Sequence, residues 1–298
     1  MNKETVKAVK LARSYLFFSG TKELWPRIES IPYALVKGEA LSLMAYGGIG
    51  KRLYSDIDIL VDRKNVSYLE NVCKELGFIS STQSREERIF CFSASHQIAP
   101  YTKQQGGTCI SVDINFDVFW GEYKRKRIDI YNFLSDTIEI CIYGNVIRTL
   151  PPLKTMIQLI LHHYKEMNSI YHLAGHNSIN QRVLSDVYFL WKKNQDIISL
   201  ENLYKIALEY EIIPYVFYML HFTNELYHDS ELQRFVDAFE TYEGKALLNC
   251  YGLTETERKI WKVDFHTRLA TENLFELIKD DLTEADRIKL ARNQHYFG

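Results

Sequence analysis

The chain lacks several features that would narrow its class at once. Nowhere in its 298 residues is there a run approaching the roughly 20 apolar residues that a membrane span needs. Neither sign of charge dominates. The 36 Lys and Arg stand against 38 Asp and Glu, a net charge of −2. This weakens any reading as a protein that coats nucleic acid through bulk charge, although a local basic groove is still allowed. Prolines number only six, and there is neither a Gly/Ser linker nor an internal repeat. The five cysteines (Cys73, Cys91, Cys109, Cys141, Cys250) are odd in number, scattered and never in a CxxC pair. A disulfide framework or zinc ribbon is therefore disfavoured, and buried free thiols in a reducing cytoplasm are expected. The N-terminal segment is charged through its first half and has no small-residue cleavage site, so it reads as a helix of the mature protein and not as a signal peptide. A cytoplasmic protein is expected.

The length allows one large domain or two medium ones, and either buries a core without staples. The pattern changes near Pro151-Pro152. Before it, short apolar runs alternate with turns. After it, long segments carry helical periodicity. The expected division is 1–150 and 151–298. In the first part, helices are expected at 4–17 and 21–29. The apolar run 34–36 ends at Lys37-Gly38-Glu39 and opens a helix at 39–46, which the glycines of 47–50 must break. A strand comes next at 57–61, then an amphipathic helix at 64–76 closed by Gly77. Strands are expected at 88–94 and 109–120, the second preceded by a turn at 104–107. A hairpin is expected at 138–143 and 145–149 about Gly144-Asn145. From 153 onward the periodicity predicts helices at 153–167, 179–194, 199–209, 213–227, 230–241, 254–277 and 283–292. The class is α+β, with a mixed-sheet half followed by an all-helical half.

The most informative segment runs from Arg52 to Val61. On a strand, side chains alternate faces, so Asp56 and Asp58 point to one side and Ile57, Ile59 and Val61 to the other. The apolar set explains how the strand is held. It does not explain two carboxylates roughly 7 Å apart on one face, where like charges repel and shift each other's pKa values. A divalent cation removes that cost, and hard oxygen ligands suit Mg²⁺. A solvated edge or a turn cap is the plain alternative. A second strand repeats the alternation: Val112, Ile114, Phe116 and Val118 face one way, and Asp113, Asn115 and Asp117 the other. Paired with 57–61, it would bring a third carboxylate to the first two, a constellation suited to two-metal phosphoryl or nucleotidyl transfer. Upstream, Gly38 lets the backbone approach an anion at a helix N-terminus, and Lys37 adds a charge-assisted contact.

Together these residues resemble the nucleotidyltransferase fold of the DNA polymerase-β superfamily. The pieces are Val36 to Glu39, Tyr54 to Ile59, and Val112-Asp113-Ile114. The sequence is more similar still to a group of largely uncharacterised bacterial nucleotidyltransferases, in which a Lys-Gly turn is followed by Arg-x-x-Ser-Asp-x-Asp-x-x-Val. Here these are Lys37-Gly38 and Arg52 through Val61. That group also has a helical C-terminal half, to which Pro151-Pro152-Leu153, the run from Leu159 to His163, and Ser185-Asp186-Val187 are similar. The resemblance implies a helical domain that closes the cleft and selects the acceptor. It implies transfer of an NMP group from an NTP donor to a hydroxyl of a small molecule, peptide or natural product, with release of pyrophosphate. By the same resemblance Asp56 and Asp58 hold Mg²⁺ (two ions, with Mn²⁺ as a substitute), and Asp113 binds the second ion or acts as general base. Lys37, Gly38, Arg52 and Ser55 surround the phosphates. The sequence departs from the superfamily where Glu39, and not Ser, follows Gly38. Asp117 competes with Asp113 as third carboxylate, so Asp117 and Glu39 are secondary candidates.

Other patterns are weaker. Tyr46 to Lys51 looks superficially like a P-loop, but the Walker pattern needs Gly at 45 and Ser or Thr at 52, where the chain has Ala45 and Arg52. A flexible loop over the active site is expected instead. His162, His163, His172 and His176 read as structural or substrate-facing, since the His172/His176 pair falls on a loop-like stretch. The basic run Lys124 to Arg127 is a solvated turn or a contact for triphosphate or RNA. It is the feature that would favour modification of tRNA over a small acceptor, with protein modification as a further variant and a non-catalytic nucleotide-binding module as the alternative of another class. The helical stripes Leu184, Val187, Tyr188, Trp191 and Tyr215, Tyr218, Met219, Phe222 read as core. Arg182, Asp186 and Lys192 are candidates to reach the acceptor.

Overall fold

The structure, a computed structural model, describes residues 3–80, 84–175 and 181–297. It separates into two compact units, one of Met1–Gly121, Ile128–Thr155 and Lys192–Ile197, the other of Glu122–Arg127, Met156–Trp191 and Ile198–Gly298. The first is built on a mixed sheet of β1 (Tyr33–Val36), β2 (Ile57–Val61), β3 (Ile79–Ser80), β4 (Tyr101–Gln105), β5 (Thr108–Asn115), β6 (Ile138–Ile142) and β7 (Asn145–Thr149). Their spatial order is β3-β4-β5-β2-β1-β7-β6. β2 sits at the centre, antiparallel to β1 and parallel to β5, and β1 runs parallel to β7. The helices are α1 (Lys3–Gly20), α2 (Leu24–Arg27), α3 (Gly38–Tyr46), α4 (Val66–Glu75), α5 (Arg85–Ala94) and α6 (Ile130–Phe133).

The strand alternation sets this unit's core. Ile57, Ile59 and Val61 of β2 join Ile110, Val112 and Ile114 of β5 in one apolar cluster with Phe17 and Phe18 of α1 and Leu69 of α4. Burying each such side chain contributes roughly 1.5–3 kcal/mol. That fixes the register, because a slip of one residue would turn the carboxylates into the same cluster. Between β6 and β7 the turn residues are Tyr143 and Gly144, both with positive φ (49° and 79°). The hairpin is therefore the expected one, with its turn one residue earlier.

Several expectations need correction. Residues 88–94 are not a strand but lie in α5. Ser84 starts that helix through a capping box: its Oγ accepts from the Glu87 amide at 3.1 Å, while the Glu87 carboxylate accepts from the Ser84 amide at 2.5 Å. This start signal outweighs the β-branched and aromatic content of the segment. β5 stops at Asn115 and does not continue to 120, because Asn115 bridges antiparallel to Gln97 and Phe116 donates to the His96 carbonyl at 2.8 Å. β4, which the apolar pattern does not predict, is polar because it is only partly covered; Gly106 and Gly107 turn it onto β5 with positive φ. Of the five free cysteines, only Cys73 and Cys91 are buried; Cys109 and Cys141 are exposed and Cys250 is intermediate.

The second unit is mainly helical. Its elements, from the helix that leads into it, are α7 (Pro152–Asn168), α8 (Ile170–Ala174), α9 (Gln181–Lys193), α10 (Leu200–Glu209), α11 (Ile213–Tyr227), α12 (Ser230–Phe239), α13 (Tyr242–Leu248), a two-residue ribbon of β8 (Cys250–Tyr251) and β9 (Lys259–Ile260), α14 (Phe265–Ala270), α15 (Phe275–Ile278) and α16 (Glu284–Phe297). The ribbon corrects the all-helical expectation, and the single helix predicted at 254–277 is broken into β9, α14 and α15. Asp264 caps α14 by accepting from the Thr267 amide at 2.7 Å. Arg268, 2% exposed, anchors the segment by donating to the Leu248 carbonyl at 3.4 Å and stacking over Phe222, Trp261 and Phe265. Leu184, Val187, Trp191, Tyr215, Tyr218, Met219 and Phe222 are core, as their stripes predict, but Tyr188 of the first stripe is only half-buried. No helix among the described residues is long and apolar enough to cross a membrane. A Ser84→Ala protein is expected to lose about 1 kcal/mol of stability through the capping box, read as a lower urea midpoint with an unchanged slope. An unchanged midpoint would show that tertiary packing alone holds α5.

Candidate active site

The site grows from three chain segments that the sheet brings together. β1 ends at Val36, which pairs with Asp58 of β2. The chain then turns through Lys37 (φ 57°, ψ −141°) and Gly38 (φ 40°) into α3. A lysine in that conformation costs on the order of 1–3 kcal/mol. It puts the Lys37 ammonium 2.7 Å from Asp58 Oδ1, with both side chains largely buried. The parallel register of β2 on β5 sets Asp58 beside Asp113. Neighbours in register share a face, so the two carboxylates stand on the side opposite the apolar cluster. Asp56 lies just before β2, and Ser55 Oγ donates to its Oδ2 at 3.1 Å.

The surroundings of these acids are built. Asn115 donates to Asp58 Oδ1 at 3.3 Å. Asp113 accepts from Ser111 Oγ at 3.1 Å and from Gln97 Nε2 at 3.4 Å. Burial, and then the negative charges of Asp58 and Asp56, push the Asp113 carboxyl up to about 7. Burial and Asp58 likewise raise Asp56, against the opposing pull of Lys37 and Arg52. Lys37 bridges directly to this trio through Asp58.

Asp117 and Glu39 have different roles. Asp117 lies past the end of β5, and its Oδ1 accepts from the Phe119 amide at 2.9 Å, which serves the turn there. Of the two competing acids, Asp113 is the one in register with Asp58. Glu39 is fully buried; it accepts from Ser14 Oγ at 3.0 Å and from the Gly50 amide. Burial raises its carboxyl. It therefore anchors the glycine loop to α1 and α3. Ser42 completes the anchor. Its hydroxyl donates to the Gly48 carbonyl at 2.7 Å and accepts from the amides of Lys51 and Arg52 at 3.1 and 3.2 Å. The loop at 47–50, expected to be flexible, is tied at both ends. Arg52 is largely buried beside it, and its charge acts on Glu39 and Asp56.

Asn115 shares the acidic face, as the alternation of its strand predicts, whereas Ser111 and Gln97 are not among the residues that the sequence patterns single out. Strand alternation could have found Ser111, two residues before Asp113. Gln97 has no local signal, because it arrives through the bridge to Asn115. The basic run gives less than expected: Arg125 pairs with Glu243, Lys126 donates to the Glu209 carbonyl at 2.9 Å, and Arg127 to the Tyr123 carbonyl at 3.1 Å. Asp186 is fully buried, which removes it as an acceptor contact. His172 lies within α8, and His176 lies outside the described residues.

A mixed sheet with an acidic pair in register on its central strands, and a mainly helical second half, is the α+β fold of a nucleotidyltransferase. The chain belongs to the family described as "Uncharacterised nucleotidyltransferase", whose pattern matches residues 25–228. It is therefore a transferase enzyme of the nucleotidyltransferase class. No curated protein matches it. Three solved structures are distantly similar. The crystal structure of ANT(2'')-Ia in complex with adenylyl-2''-tobramycin is 11% identical, with 68% of this chain and 97% of that one covered at a TM-score of 0.37. The solution structure of the antibiotic-resistance factor ANT(2'')-Ia is 9% identical, with coverages of 69% and 92% and a TM-score of 0.36. An antigenic nucleotidyltransferase-like protein from Paracoccidioides brasiliensis is 13% identical, with coverages of 72% and 93% and a TM-score of 0.34. Likeness at these scores is too distant to bear on substrate or mechanism.

The raised Asp113 carboxyl has a consequence for stability. The folded chain binds this proton more tightly than the unfolded chain does, so stability falls as pH rises. The stabilising contribution is complete below about pH 4 and is lost as pH climbs through about 7. An Asp113→Asn protein is therefore expected to melt higher than wild type at about pH 8 without divalent ions, with the gap closing towards about pH 4. Parallel melting curves for the two proteins across that range would contradict the crowding of the three acids.

Proposed function

We propose that this chain moves an NMP group from an NTP to a hydroxyl of a small-molecule, peptide or natural-product acceptor, using Asp56, Asp58 and Asp113. The observation that carries the reading is the register of Asp58 on Asp113, with Lys37 already standing as a cation on Asp58. The donor set fits the group that the family uses. Carboxylate oxygens that repel one another and recruit an ammonium suit a hard divalent cation such as Mg²⁺, with Mn²⁺ as a substitute. When bound, such ions neutralise the triphosphate and polarise its phosphoryl oxygens.

The remaining work falls to the chain's own groups. Asp56 and Asp58 would hold the metal, the Lys37 ammonium beside Asp58 would contact the phosphates, and the amides at Gly38 would receive a phosphate at the start of α3. Arg52, fixed by Ser42, adds positive charge, and Ser55 orients Asp56. Asp113 is placed to accept the acceptor's hydroxyl proton. The hydroxyl oxygen bonds to the α-phosphorus, the bond from that phosphorus to the bridging oxygen breaks, and pyrophosphate leaves. Choice of acceptor is assigned to the helical half, residues 151–298. Modification of tRNA is less favoured, since three of the four basic residues at 124–127 already have partners within their own unit.

Calorimetry with the four NTPs, with and without Mg²⁺, tests the proposal on wild type and Asp58→Asn. Mg²⁺-dependent binding of at least one NTP is expected, with NMP transfer falling at least ~100-fold in the variant. Normal turnover by Asp58→Asn would remove the acidic trio from the reaction.

A further inference from the structure

Helix α7 carries a second group of ligand-type side chains that nucleotidyl transfer does not use. His162 and Glu166 are four residues apart and His163 and Glu166 three, so all three lie along one side of the helix. His162 Nε2 is 3.1 Å from Glu166 Oε1, and His163 Nδ1 is 2.9 Å from Glu166 Oε2. One ligand atom from each of the three residues lies within 4.8 Å of the others. Two imidazoles thus converge on one carboxylate.

Hydrogen bonding alone explains only half of this arrangement. If neutral His163 donates from Nδ1 to Glu166, its Nε2 is left as an acceptor. That nitrogen is buried with no hydrogen-bond partner, on a side chain 3% exposed. The carboxylate facing it is Asp186 Oδ2 at 3.8 Å, on α9, and Asp186 is itself fully buried. A lone pair would then face a carboxylate in the interior of the second unit. A cation on Nδ1 reverses the tautomer. The proton moves to Nε2 and points at Asp186, and the carboxylate–histidine–metal arrangement fixes both ring orientation and ligand basicity. His₂Glu is a recognised set for zinc, and three protein ligands leave a coordination position open. The cluster has such an opening, since the Glu166 side chain is 37% exposed and that of His162 12%.

We propose that His162, His163 and Glu166 bind one divalent transition-metal ion of the zinc class, with Asp186 as the positioning residue that holds the Nε2–H of His163. The site is distinct from the acidic trio in residues and in donor type: imidazole nitrogen selects zinc-like ions, whereas three aspartates suit Mg²⁺. The open position would take water or a donor atom of a bound molecule.

The test uses the full chain, freed of metal by a chelator and titrated with Zn²⁺ by calorimetry, with Co²⁺ as the spectroscopic probe. Wild type is expected to bind one Zn²⁺ at this site, and Asp58→Asn is expected to keep it. Glu166→Gln and His162→Gln are expected to weaken binding at least ~100-fold, and Asp186→Asn by ~10–100-fold with an altered Co²⁺ spectrum. Both positions are partly exposed, which favours folded variants. Should Glu166→Gln fail to fold, His162→Gln gives the same reading. Failure of wild type to bind Zn²⁺, or binding by Glu166→Gln equal to wild type, would overturn the site in favour of an imidazolium bridging Glu166 and Asp186. Loss of Zn²⁺ in Asp58→Asn would assign the ion to the acidic trio and equally overturn it.

Discussion

Packing acidic residues side by side on the central strands is the constraint around which the first unit is arranged. Two like charges roughly 5 Å apart repel by about 3 kcal/mol at an effective dielectric near 20. A folded chain tolerates that only when something else fixes the strands. Here the opposite face does so: the isoleucines and valines of β2 and β5 set the register that brings Asp58 beside Asp113. Relief comes from Lys37, held in an uncommon backbone conformation to reach Asp58, and from the upward shift of the Asp113 carboxyl. Stability and site are thus opposite faces of the same two strands.

The departure at Glu39 fits this arrangement. After Gly38 this chain has a buried carboxylate that ties the glycine loop down through Gly50 and Ser14. Under the proposed function, phosphate contacts at the turn would then fall to Lys37 and to backbone amides. The same loop is fastened a second time by Ser42, which uses its hydroxyl both as donor and as acceptor. The segment between the turn and Asp56 is therefore held before any ligand arrives.

Much of this is legible in the sequence, and the reason is physical. Asp56, Asp58 and Asp113 stand out because strict alternation places charge where a half-buried strand should carry neutral polar groups. The same alternation extends too far, to residue 120, and leaves Asp113 and Asp117 unresolved; only the bridge between Gln97 and Asn115 ends the strand. α5 resembles a strand in its apolar residues, while its start signal lies upstream, at Ser84 and Glu87. The break within 254–277 depends on Arg268 reaching residues far away in the chain, which no local pattern encodes. His163 and Asp186 illustrate the same limit: each is visible in the sequence, but their proximity comes from the packing of α7 against α9.

The central claim is that Asp56 and Asp58 receive a divalent ion together with the triphosphate, displacing Lys37. Anomalous diffraction from crystals grown with Mn²⁺ and a non-hydrolysable NTP analogue tests it most directly. The account requires a metal peak on the Asp56 and Asp58 carboxylates, phosphates at the Lys37-Gly38 turn, and the Lys37 ammonium withdrawn from Asp58. A nucleotide bound elsewhere, with the Lys37–Asp58 ion pair intact and no metal on the acids, would contradict it.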